Sequence, residues 1–406
     1  MAASPPVTVP HRIGLYLALV QFLFALTWTV YVIFLPALAA QLGLPKRAVL
    51  AILLADQLIF VAMDFALGVM ADRVTRHVGR LGVAIVIVTI VSAAALMLLP
   101  LAAPYGMPGL FLTLTVVWAA TSSALRAPPL VLLGKYAARP AMPWLAALTL
   151  LGLGLASAIA PYLTILLRNV DPRWPFALTS LALVAATLGI VWVERRLAAR
   201  TVPPATQART PPGPPAQGVI RFLCAIALLA LGAQIHQFLN SPPLYLRYAK
   251  PADMPYLVPV FWIGFNVLLL PASTATRRWG GLVVMCAGSV VAAIAAWLAS
   301  GAGSLAQLVA IQSVAGGAWG CILASAVAAA LAMGHTGREG RVTGALFSML
   351  ALAAAARIAT VAAGLQPGPA SAPWLLWAPV AAWGLAGVVL LTLIGALRGA
   401  PLAASR

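Results

Sequence analysis

The chain has 406 residues, of which 63% are hydrophobic and only 8% charged, with a mean hydropathy of +1.01. Water-soluble domains carry about 25% charged residues, so this composition excludes a soluble globular enzyme and requires lipid to cover most of the molecule. The formal charge is +18, but the cations punctuate apolar runs instead of gathering on one solvated face, which argues against nucleic-acid binding.

A bilayer core takes about 20 apolar residues per helix. Cut at its charged, Pro-rich and Gly-rich punctuation, the sequence holds twelve such runs, at 13-40, 47-71, 81-103, 108-133, 144-167, 174-193, 219-241, 256-276, 281-300, 304-333, 342-365 and 373-397. The expectation is an all-α integral membrane protein. The first run is too long for a signal peptide and a second follows within a few residues, so it is expected to remain a helix. Placing the N-terminus in the cytoplasm puts seventeen Lys and Arg on the cytoplasmic side and six on the other, with Arg126 and Arg357 inside spans. By the positive-inside rule both termini are expected in the cytoplasm of a bacterial-type inner membrane.

The longest polar interruption, 194-218, is Pro-rich without apolar periodicity and is expected to be an extended linker. It divides the chain into a six-helix half at 1-193 and a second at 219-406. Two echoes at about half the chain length support such a repeat. RHVGR (76-80) pairs with RRWGG (277-281), and FLPALAAQLG (34-43) pairs with SPPLYLRYAK (241-250). The three cysteines, Cys224, Cys286 and Cys321, lie in apolar runs without metal-ligand spacing and read as small buried residues.

Between the second and third runs stands DFALGVMADRVTRHVGR, Asp64 to Arg80. A glycine on the second helix lets a neighbour approach closely, and an aspartate at the membrane edge can face the positive N-terminal end of another helix. The segment resembles the loop of the major facilitator superfamily of secondary transporters, G-x-x-x-D-R followed by G-R, in the positions of Gly68, Asp72, Arg73, Gly79 and Arg80. The spacing of the two dipeptides and the extra Asp64 are similar to the glycoside-pentoside-hexuronide cation symporter branch. Phe65 stands where that branch has proline, Phe60 where it has a second acid, and the matching loop of the second half keeps no acid. The resemblance implies a gate in which Asp72 meets the eleventh helix, beginning near Arg341, and a fold of two six-helix bundles.

Ionisable residues at membrane depth are costly and so are functional candidates. Asp64 and Asp56, both on the second helix, lie deep enough for desolvation to disfavour the charged carboxylate, as a proton-coupling site requires. For Asp64 the readings are coupling or substrate contact, a structural ion pair, or a water-exposed rim. Arg357 is too far from either helix end to snorkel, and must face an anionic substrate group or a carboxylate. Arg126 precedes Pro128 and Pro129, which should break or kink the fourth helix; it either faces substrate or snorkels to the surface.

The stretch LGAQIHQFLN offers Gln234 and Gln237 three apart, and His236 and Asn240 four apart, on adjoining faces. His236 reads as a helix-packing partner or, less commonly, a proton relay. With Asn266, Gln312, Gln21, Trp28 and Tyr31, these are the polar groups available to line a midplane site between the halves. The run Gly316 to Gly320 suits close helix packing rather than a phosphate cradle, since no Lys-Ser/Thr follows. GLGLASAIAP (152-161) is similar to the fifth-helix motif of proton-driven exporters, without the glycine before Pro161.

The expected function is a secondary active transporter of a small solute by alternating access, coupled to protons. A proton-driven exporter of apolar compounds or an organic-anion exchanger is the alternative. A non-transporting receptor or assembly factor on the same fold is a remoter one. An enzyme would need a nucleophile with a base, paired acids or a metal set, and the four histidines are scattered. No catalytic residue, cofactor or resident metal is expected. The expected partners are a small-molecule substrate, protons and the bilayer, with the chain acting as a monomer.

Overall fold

The computed structural model describes residues 11-74, 80-136, 141-200, 216-334, 337-365 and 373-399. All regular structure among them is helical, and twelve spans are long and apolar enough to cross a membrane. Helices suit lipid, because they satisfy nearly every backbone N–H and C=O of a crossing segment within it.

The first six spans are α1 (His11–Gln41), α2 (Lys46–Val74), α3 (Arg80–Ala102), α4 (Pro108–Ser122) continued by α5 (Pro128–Tyr136), α6 (Met142–Leu166) and α7 (Arg173–Arg200). The seventh is α8 (Ala216–Ile235), a π-helical segment at His236–Asn240, and α9 (Ser241–Tyr245). The eighth joins α10 (Met254–Leu257) to α11 (Pro259–Trp279), which ends at Gly280, whose φ of 88° is a left-handed conformation that suits glycine. The last four are α12 (Gly281–Ser300), α13 (Leu305–Met333), α14 (Glu339–Ala362) and α15 (Pro373–Gly399).

Packing repeats six spans later. In the first six, α1 lies on α6, α3 on α7, and α2 on α4; in the last six, α8 lies on α14, α12 on α15, and α11 on α13. The two sets meet along two seams, α2 against α14 and α6 against α11, which the same exchange relates to each other. Large apolar side chains such as Leu178, Val267 and Ile87 point outward, where a bilayer would receive them.

Two boundaries differ from the sequence reading. Residues 194-200 and 216-218 continue α7 and α8, so helix occupies both ends of the interval read as a linker; 201-215 lie outside the described residues. Glu, Arg, Leu and Ala at 194-200 are strong helix formers, and the first proline comes only at Pro203. The seventh span carries a π-helical turn at His236–Asn240, which interrupts its α-helical hydrogen-bond period.

Candidate functional site

The fourth span breaks where its prolines require. After Ser122 the backbone tightens into a 3₁₀ turn, Ser123–Leu125, and Arg126 follows with φ −90° and ψ −75°. Pro128 and Pro129 bring no N–H to the carbonyls of the preceding turn. At this break the Arg126 guanidinium turns inward. Its Nη1 lies 2.9 Å from Oδ2 of Asp64, a side chain with no solvent exposure. Phe60 of α2 and Phe347 of α14 flank the guanidinium, with ring centres 4.9 and 5.4 Å from it. Arg126 therefore does not snorkel, and Asp64 is neither alone nor at a rim.

This pair sits on the α2–α14 seam. Gly344 of α14 packs so closely on the Asp64 backbone that a Cβ there would overlap the Asp64 carbonyl. One turn on, the Ser348 hydroxyl donates to the Val61 carbonyl at 2.7 Å. Ala351 then enters an apolar cluster otherwise built from the first six spans. Two opposite charges withdrawn from water here stabilise each other, and removing either one strands its partner in apolar surroundings.

At one end of the same seam Asp72 meets the start of α14. Oδ1 accepts the Gly340 N–H at 2.6 Å and Oδ2 the Arg341 N–H at 2.8 Å. A carboxylate thus fills the orphan donors of a helix N-terminus supplied by the other six spans. Gly68 makes the approach possible, since a Cβ on it would overlap the Gly340 carbonyl. Arg341 contributes its backbone, with its side chain exposed, and Arg73 and Arg80 are exposed as well. Gly79 lies outside the described residues.

Asp56 occupies a different environment. Its Oδ2 accepts the Tyr31 hydroxyl at 2.8 Å, and Tyr31 packs on Trp118, itself stacked with Trp28. The acid is buried beside a mostly apolar crevice of about 310 Å³ between α2 and α4, at the end opposite Asp72.

In the last six spans the polar stretch of the seventh helix distributes its partners over three neighbours. Gln234 accepts from Arg357 Nε of α14 at 2.9 Å, and the guanidinium lies 4.6 Å from the Phe238 ring centre. His236 Nε2 pairs with Gln312 Oε1 of α13 at 2.9 Å, boxed by Phe261 and Trp383. Asn240 donates to the Leu375 carbonyl at 2.9 Å. Gln237 is buried, and its Oε1 has no hydrogen-bond partner among the described residues. Asn266 donates to Trp262, while its Oδ1 faces Gly154 across the α6–α11 seam. The expected common polar lining is thus divided. Arg357 with Gln234, and His236 with Gln312, are separate pairs, and Arg357 meets a neutral amide where a carboxylate was the alternative.

Gly316, Gly317 and Gly320 bring α13 against α11, where any Cβ would collide with Phe261, Leu268 or Phe265. Sequence reasoning passed over Glu194. Placed in the linker, it is instead fully buried and accepts the Gly82 N–H at the start of α3 at 2.7 Å. The available signal was a glutamate directly at the end of an apolar run, ahead of Arg195 and Arg196.

The family profile of the Major Facilitator Superfamily matches residues 17–357. No curated protein matches the chain by sequence. Among solved structures, the fold is similar to the human organic anion transporter MFSD10 (TM-score 0.72, 15% identity, 97% of this chain and 100% of that one). It is also similar to a bacterial homologue of the iron transporter ferroportin in an outward-facing state with soaked iron (TM-score 0.73, 14% identity, 94% and 99%). A third similar structure is the transporter FucP in its outward conformation (TM-score 0.57, 15% identity, 94% and 98%). With twelve spans, the repeated packing and a profile match over most of its length, the chain belongs to the major facilitator superfamily of membrane transporters.

Proposed function

We propose that the chain is a proton-coupled secondary transporter of a small organic anion, working by alternating access between two six-helix halves with the Asp72 end in the cytoplasm. The observation that carries this reading is the Asp64–Arg126 pair, buried on the seam where the halves must part. An ionised Asp64 holds Arg126 and with it the broken fourth span. Protonation removes the carboxylate charge, weakens that hold, and leaves the guanidinium to seek another partner. Proton and substrate then exchange roles across the cycle, because each changes the stability of the same seam.

Arg357 supports an anionic substrate. Its contacts among the described residues, the Gln234 amide and the Phe238 ring, carry no negative charge. A guanidinium at membrane depth without a counter-charge favours an incoming carboxylate, which it can grip with two donors. The fold's similarity to an organic anion transporter agrees with this choice. The Lys and Arg asymmetry supports cytoplasmic termini, and the loop's likeness to a cation symporter branch supports symport. The uncompensated Arg357 also fits proton-independent exchange of organic anions.

Proteoliposomes holding the full chain and an internal pH dye separate the two readings. Organic carboxylates chosen by their stabilisation of the purified protein are added outside. Acidification that accompanies uptake supports symport, and anion exchange with no proton movement overturns it.

A further inference from the structure

Pro128 and Pro129 withhold two N–H groups that an unbroken fourth span would give to the carbonyls of Ala124 and Leu125. A buried carbonyl in lipid surroundings is expensive to leave without a donor. For Leu125 the donor comes from another helix. Gln21 of α1 reaches across and gives its Nε2–H to the Leu125 carbonyl at 2.6 Å, with the glutamine itself only 9% exposed. The peptide so held joins Leu125 to Arg126, the residue whose backbone leaves the turn and whose guanidinium meets Asp64.

We propose that Gln21 is a positioning residue, which supplies the hydrogen bond that Pro129 withholds and thereby fixes Arg126 against Asp64. Gln21 acts through one peptide plane. If that plane is released, the turn at Ser123–Leu125 can rewind and the Arg126 side chain loses the direction that brings it to Asp64. The bond also makes α1 a mechanical partner of the coupling pair. Since α1 packs on α6 and α7, any movement of it relative to the fourth span must carry Leu125 along or break this contact. The role rests on reading Asp64–Arg126 as the coupling pair, but the geometry it claims can be read without any substrate.

The test uses the full chain in lipid at one neutral pH, carrying carboxyl-labelled aspartate, with infrared spectra of its five aspartates. The Asp64 band is the one that disappears in Asp64→Asn. Arg126→Gln gives its position when the guanidinium is gone. Gln21→Leu is expected to move the band at least half of the way from its wild-type position towards that reference. Gln21→Met, long and unbranched, repeats the test should Gln21→Leu fold poorly. A band that Gln21→Leu and Gln21→Met leave in place overturns the proposal. So does a band that Gln21→Leu moves and Gln21→Met, which fills the same space without a donor, leaves in place, since Gln21 would then act by filling space. If coupling lies elsewhere, proton movement persists in Asp64→Asn while these spectral shifts still appear, so the two failures are distinct.

Discussion

Asp72 and Gly340, 268 positions apart in the chain, are joined by a carboxylate-to-backbone hydrogen bond of 2.6 Å across the boundary between the first and last six spans. The acid spends both oxygens on the first N–H groups of α14, so the contact requires no particular side chain from that helix. Charge at a helix N-terminus contributes about 1 kcal/mol, roughly fivefold in a two-state balance. Asp72→Asn should therefore shift the protein towards the state open at this end by about that factor. Spin labels at Met70 and Ala332, near the ends of α2 and α13, would report it as a growing long-distance population. An unchanged distribution would reduce the loop to a topological anchor.

Gly68→Ala should act more strongly in the same direction. The added Cβ meets the Gly340 carbonyl, part of a backbone that cannot rotate away, so α2 and α14 must separate. Overpacking of this sort costs about 1–3 kcal/mol, and here it falls on the closed state alone. The same label pair should show the closed population nearly lost, while the protein stays folded by its thermal transition. Retention of the wild-type closed fraction would show that the seam has slack.

The sequence announced this contact because the glycine, the acid and their spacing lie within one short segment. The twelve spans were legible for a similar reason, since lipid demands a long apolar run whatever the run packs on. The Asp64–Arg126 pair was not legible. The residues stand 62 positions apart, and Arg126 reaches Asp64 only because the proline break turns the backbone inward. The prolines signalled a break but not its direction. In the seventh span nothing local announced that His236 would pair with Gln312 of α13 and Asn240 with the Leu375 carbonyl of α15. Glu194 was hidden by its charged neighbours, which suggested solvent although α7 continues past it.

Arg357 should respond to charge and geometry. Hydrogen bonds to charged groups contribute about 1.5–3 kcal/mol, so Arg357→Gln should weaken binding of the most stabilising organic anion about tenfold to a hundredfold. Arg357→Lys keeps the charge but loses the two-pronged donor and should fall between. Ligand-induced shifts in melting temperature measure both. A best ligand that is cationic, or equal affinity in all three proteins, would remove Arg357 from the substrate site.

Asp56 should prove structural. Its carboxylate is tied to Tyr31 inside an aromatic cluster built almost wholly from the first six spans, towards the end of α2 opposite Asp72. Tyr31→Phe should lower stability by about 1–3 kcal/mol, the cost of leaving a buried acceptor unsatisfied, with transport retained. Asp56→Asn should likewise keep uphill accumulation. Loss of accumulation in Asp56→Asn with normal folding would move the coupling role there.

The central claim is that Asp64 carries the coupling proton. Its direct measurement compares uphill accumulation with counterflow in proteoliposomes of wild type and Asp64→Asn, using a labelled organic anion that the wild type transports. Counterflow needs only that the loaded carrier reorient, whereas accumulation needs the proton gradient. The account predicts that Asp64→Asn loses accumulation and proton movement while keeping substantial counterflow. Accumulation at the wild-type level in Asp64→Asn would contradict it.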